Sequence, residues 1–248
     1  MLTIMKYETI RQRLSKFIML GLLAVLEVVF LIGLYGQLDK PMGYAIVGLT
    51  FLAIFSFMYV SVESILNYNQ DLSKKSGYML FMTPHSVYEI LGAKIIHNIL
   101  TIILTALVFG LVAFLDIMLI LLKYDSIQYF LDQIQQILNE FADLNISTAS
   151  IVSTVVLMVI LWISTVAIAF LAITLTYTFL HAVPAKGLIS FGIFLALNFA
   201  YSWVSNHLLD ALPNAYIPRT LGAAALTAVV AALCLWLDGW MLTRKLAL

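Results

Sequence analysis

Charge is what this sequence has least of. Only 10% of its 248 residues are Asp, Glu, Lys or Arg, against about a quarter in a soluble domain. The 13 basic and 13 acidic residues cancel, so no basic surface argues for a nucleic acid partner. Cysteine is nearly absent: Cys234 stands alone inside an apolar run. That excludes a disulfide framework or a thiolate metal site built within one chain. The four histidines and the scattered acids have no HExxH-like spacing, and no metal site is expected. No GxxxxGK[ST] loop, no GxSxG turn and no pair of aspartates on facing spans occurs, so no catalytic residue is assigned and the chain is not read as an enzyme. Repeats, low-complexity tracts and linkers are also missing, and residues 1–248 read as one membrane domain.

What the sequence does hold is apolar. Hydrophobic residues make up 63% of it and the mean hydropathy is +1.03. The fold class expected is an all-α integral membrane protein. A spanning helix needs roughly 20 mainly apolar residues, and six stretches qualify: Phe17–Gly36, Met42–Leu66, Ile90–Leu122, Thr148–Tyr177, Gly187–Val204 and Leu221–Leu242. The third and fourth are longer than a bilayer core requires, so they tilt or project into water. No small-residue cleavage site closes the first span, so it is read as retained.

Sidedness follows from the basic residues. With the N-terminus inside, Lys6, Arg11, Arg13, Lys16, Lys74, Lys75, Lys94, Lys186, Arg244 and Lys245 fall on the inner side, and only Lys40, Lys123 and Arg219 on the outer. This positive-inside bias predicts cytoplasmic termini at both ends, as an even number of spans requires.

Three stretches between spans have helical patterns of their own. Residues 1–16 lead into the first span with Tyr7, Ile10, Leu14 and Phe17 on one face, which suits a helix lying in the inner interface. Residues 124–147 repeat apolar positions from Ile127 to Phe141 at helical spacing, an amphipathic extracellular segment that either caps the spans or lies on the outer leaflet. The last outer loop is broken by Pro213 and Pro218. The most unusual stretch is the cytoplasmic hairpin, residues 67–89. Ser73-Lys74-Lys75-Ser76-Gly77 reads as a turn, and YMLFMTP, from Tyr78 to Pro84, is apolar yet too short to span. Ser86 then reads as a helix N-cap with Glu89 as its capping-box partner. Tyr78, Leu80 and Phe81 on a cytoplasmic loop need a partner surface or the membrane interface to cover them.

On these residues the chain resembles the permease subunit of a bacterial ABC transporter of the ABC-2 type. The resemblance covers nearly the whole length: an interfacial helix, six spans with both ends inside, a broken last outer loop, and a hairpin after the second span. In that hairpin Asp71 stands at the family's acidic position, Tyr78–Met82 at its coupling helix, Thr83-Pro84 at its Leu-Pro-like step, and Lys94 near the start of the third span. Thr83 in place of Leu is a mild departure. The resemblance implies that Leu72, Lys74, Lys75, Tyr78, Met79, Leu80, Phe81, Met82, Thr83 and Pro84 contact a cytosolic ATP-binding subunit, present in two copies. ATP and Mg would be bound by that partner, and this chain would need no cofactor. A second permease subunit, identical or paralogous, would complete the pathway within the lipid of the bacterial plasma membrane. Export of a peptide antibiotic, drug or lipid-like molecule is the implied activity.

Few charges lie inside the spans. Glu27 is near the middle of the first, where a carboxylate costs roughly 2.5–3.5 kcal/mol on insertion scales, so it faces the protein interior or carries a proton. It is the foremost candidate for a functional intramembrane group, and the basis of an alternative reading as a proton-coupled secondary transporter. Glu63, near an inner end, is expected to snorkel or to pair with Lys94. Asp116 and His97 are expected near the ends of the third span. Phe51, Phe55, Phe191 and Phe194 are candidates for lining a hydrophobic cavity, and Ala224, Ala228 and Ala232 for a close-packing face on the sixth span.

Overall fold

The computed structural model describes residues 2–73, 86–124, 135, 148–179, 186–209 and 216–245. Among them the regular elements are all helical: α1 (Leu2–Arg11), α2 (Arg13–Tyr35), α3 (Asp39–Ser73), α4 (Val87–Tyr124), α5 (Thr148–Phe179), α6 (Lys186–Leu209) and α7 (Tyr216–Lys245). The six from α2 to α7 are long and apolar enough to cross a membrane. The chain is therefore a multi-pass membrane protein in architecture. With 35 and 38 residues, α3 and α4 outrun the bilayer core, since about 20 residues suffice to cross it. Helix α3 continues seven residues past its apolar run, to Ser73, and α4 starts three residues before its own, at Val87.

The helix ends follow from local chemistry. At the end of α2, Gln37 takes a positive φ of 54°, and the Leu38 amide bonds back to the Gly33 carbonyl at 3.0 Å. This is a Schellman ending with Gln where Gly is usual. Gly33 is required for a different reason: a Cβ there would meet the Met42 backbone nitrogen at 2.6 Å, so the turn closes only without one. At the start of α4, the Glu89 amide donates to Ser86 Oγ at 3.2 Å, the N-cap bond that the Ser86/Glu89 spacing predicts. In α7, Pro218 sits in the first turn, where its missing N–H is one of the groups a helix leaves unpaired anyway.

The chain divides into two compact units, Met1–Glu63 with Ile96–Glu140, and Ser64–Ile95 with Phe141–Leu248. In the first, Phe30, Leu34 and Ala45 form a buried cluster joined by Met42, Leu49, Leu119 and Ile120, which holds α2, α3 and α4 together. Helix α1 buries Ile4 and Glu8 and leaves Tyr7 and Ile10 exposed; Gln12, between the helices, is buried, and Leu14 and Phe17 at the start of α2 are exposed. The apolar face of α1 is thus turned away from the protein, the orientation that a helix lying against lipid needs. Thr9 Oγ1 lies 3.1 Å from His97 Nε2 and ties α1 to α4.

In the second unit α5 is the central element, packed against α6 and α7. Every residue from Val166 to Thr174 is buried. A helix buried on all sides carries no polar face, and this stretch contains only aliphatic and aromatic residues before Thr174. The buried face of α7 is Ala224, Thr227, Ala231 and Asp238, whereas Ala228 and Ala232 are exposed. The expected stripe of alanines at every fourth residue is corrected here. Steps of four advance about 40° round a helix of 3.6 residues per turn, so the stripe turns away from the contact within two steps. Tyr201 on α6 meets Thr227 at 2.6 Å, and Thr154 on α5 meets Tyr216 at 2.7 Å.

Candidate functional site

The described residues flanking the 74–85 segment are fixed by buried polar contacts. Lys94 Nζ lies 2.5 Å from Asp71 Oδ2, both side chains buried. Asp71 is two residues from the end of α3 and Lys94 two turns into α4, so this ion pair closes the base of the hairpin. One turn before Asp71, Tyr68 is wholly buried, with its ring stacked on Phe170 at 4.2 Å. Its hydroxyl lies 3.1 Å from each carboxylate oxygen of Asp238, to which it donates, and 2.6 Å from Thr174 Oγ1, from which it accepts. Tyr68, Thr174 and Asp238 are each at 0% exposure. Three helices, α3, α5 and α7, are therefore pinned at one point immediately beside the hairpin base. On the same side Gly239 of α7 lies against the Tyr88 ring, with no room for a Cβ between them.

The cluster is made of complementary partners: a hydroxyl chain onto a carboxylate, and an ammonium onto a carboxylate. A buried ion pair repays its desolvation only when position is well defined, and removing one partner strands a charge.

Of the residues expected to contact a partner, Leu72 is described and buried. Lys74, Lys75, Tyr78, Met79, Leu80, Phe81, Met82, Thr83 and Pro84 lie outside the described residues, as does the amphipathic 125–147 segment apart from the exposed Gln135. Lys94 pairs with Asp71. Glu63, a possible partner for it by sequence, instead accepts from Ser15 Oγ at 2.5 Å, and Ser15 accepts in turn from the Tyr59 hydroxyl at 3.4 Å. Glu27 of α2 meets Asp116 of α4 through a carboxyl–carboxyl hydrogen bond, a contact that needs one shared proton. Glu27 Oε2 and Asp116 Oδ1 are buried and accept no hydrogen bond. Phe51, Phe55 and Phe191 are exposed on this chain, and Phe191 stacks on the half-buried Phe194 at 6.4 Å. These aromatics do not line the cavity found among the described residues.

Sequence reasoning passed over Tyr68, Thr174 and Asp238. Asp238 carried a usable signal, an acid inside the last apolar run, which by itself asks for a buried partner. Tyr68 and Thr174 carried none, because tyrosine and threonine are ordinary at span ends.

Compared with known proteins, the chain matches no family model, no curated protein and no solved structure.

Proposed function

We propose that this chain is the membrane-spanning permease subunit of an ATP-driven exporter of the ABC-2 type, working in a bacterial plasma membrane with both termini in the cytoplasm. The observation that carries the reading is the buried Asp71–Lys94 pair at the foot of the 74–85 hairpin. The two residues singled out by the family's hairpin pattern meet each other, and the joint they form is anchored to α5 and α7 through Tyr68 and Asp238. A loop that merely connected two spans would need no such clamp. In this reading residues 72–84 seat on a cytosolic ATP-binding subunit, two of which serve a pair of permeases. Closure of the ATPase pair rocks the hairpin, and the clamp carries that movement into the spans. An amphipathic or hydrophobic cargo fits spans with so few fixed charges.

A second reading, a proton-coupled secondary transporter, is favoured by one contact, the carboxyl pair of Glu27 and Asp116. Two carboxyls sharing a proton in an apolar span are the material of a proton relay.

Gentle purification of the tagged chain from its own membrane separates the two. The ABC reading expects a nucleotide-binding subunit to come with it, together with vanadate-sensitive ATPase activity. Phe81→Asp or Met79→Asp should abolish that association while leaving membrane insertion intact. A chain that comes alone, without ATPase, and supports proton-driven flux in liposomes that Glu27→Gln abolishes would establish the second reading.

A further inference from the structure

The first unit contains a groove of about 140 Å³ between α2, α3 and α4. Helices α2 and α4 both contribute to it along their length: Lys16 to Leu23 on one, Thr101 to Phe109 on the other. Nine residues of helix rise about 12 Å, so the groove is a slot along the helix axis. Its walls are mostly apolar, interrupted by Thr101 and Thr105, with Leu23, Leu104, Val108 and Phe109 at the deep end. Its charged groups, Lys16 and Glu63, are together at the other end, beside the start of α2. Glu63 is held there by the bond from Ser15.

We propose that this groove is a binding site for one zwitterionic phospholipid of the phosphatidylethanolamine class, its acyl chain in the slot and its head at Lys16 and Glu63. Size selects a chain: an apolar cavity of roughly 150 Å³ holds a benzene-sized group, which here corresponds to a segment of one alkyl tail and not a polycyclic drug. Charge selects the head. One ammonium and one carboxylate side by side complement a phosphate and an amine on a single lipid, whereas an anionic lipid would meet Glu63 unfavourably. The polar end must supply the selectivity. A tail that leaves the bilayer for the groove exchanges one apolar medium for another and gains little discrimination from doing so. The site stands on the first unit alone and does not depend on how transport is powered.

The test is native mass spectrometry of the full-length protein, released from nanodiscs holding equimolar phosphatidylethanolamine and phosphatidylglycerol. The wild type should retain one phosphatidylethanolamine per chain, at least five-fold over phosphatidylglycerol. Val108→Trp, which fills the slot, should lower that retention about ten-fold. Glu63→Gln keeps the slot and removes the negative charge, so it should turn the preference toward phosphatidylglycerol. Equal retention of the two lipids by the wild type, or an unchanged preference in Glu63→Gln, would overturn the proposal. So would full retention in Val108→Trp.

Discussion

In the unit built on α5, Tyr68, Thr174 and Asp238 satisfy one another in a site with no exposure, and Asp71 and Lys94 neutralise each other beside it. In the unit built on α1 and α2, Glu27 and Asp116 meet only as two acids, and each keeps a buried oxygen without a hydrogen bond. Glu63 there depends on a half-buried serine at the mouth of an open groove. Polar groups in the first case are closed off and complementary, which suits a fixed joint. In the second they are half-buried and incompletely satisfied. An apolar span tolerates either arrangement, but only the closed one contributes rigidity.

That contrast can be broken first at the ion pair. Lys94→Met leaves Asp71 buried without its cation and should destabilise the protein by about 3–5 kcal/mol. The double variant Asp71→Asn/Lys94→Met should recover most of the loss, and reversible unfolding in mixed micelles reads both. Equal losses in the single and double variants would mean that the pair is not a unit. Next in size, Tyr68→Phe removes the donor to Asp238 and should cost about 1–3 kcal/mol in the same assay. A cost near zero would show that the three helices are held by packing alone. The rotation of α7 is tested by a matched pair: Ala224→Leu should overpack a buried site at about 1–3 kcal/mol, while Ala228→Leu on the exposed face should stay within about 0.5 kcal/mol. A reversal of the two would return the contact face to the four-residue alanine stripe. Smallest is Ser15→Ala, which removes the bond to Glu63 at a half-exposed site and should cost about 0.5–1.5 kcal/mol. A larger effect there than for Tyr68→Phe would remove the distinction between the units.

Much of the architecture was legible because it is local. The apolar runs predicted six spans, and among the described residues six helices are long and apolar enough to cross. Phe17–Gly36 was read one turn short of α2, which begins at Arg13, because basic residues at a span end do not stop a helix. Ser86 and Glu89 announced the start of α4 by a pattern that needs only its own turn. The exposed positions Tyr7 and Ile10 on α1 and Leu14 and Phe17 at the start of α2 were also legible, as their spacing puts them on one side of a helical run whatever lies opposite. Partner choice was not. The sequence offered Glu63 as the partner of Lys94, whereas the structure pairs Lys94 with Asp71, a choice that depends on how the facing ends of α3 and α4 are rotated. Glu27 was visible as a misplaced charge, but its meeting with Asp116, 89 positions later, was not.

Composition and periodicity by themselves determined a helical membrane protein, with six helices among the described residues long and apolar enough to cross and a half-polar stretch of sequence after the second. Both are sums over neighbouring residues, and a lipid-crossing helix must satisfy its backbone internally whatever surrounds it. Only the tertiary structure decided which polar side chains meet. Each residue turns a helix by about 100°, so the rotation of α7 that buries Asp238 beside Tyr68, itself stacked on Phe170, decides which acid Tyr68 meets. No local pattern in the sequence contains that rotation.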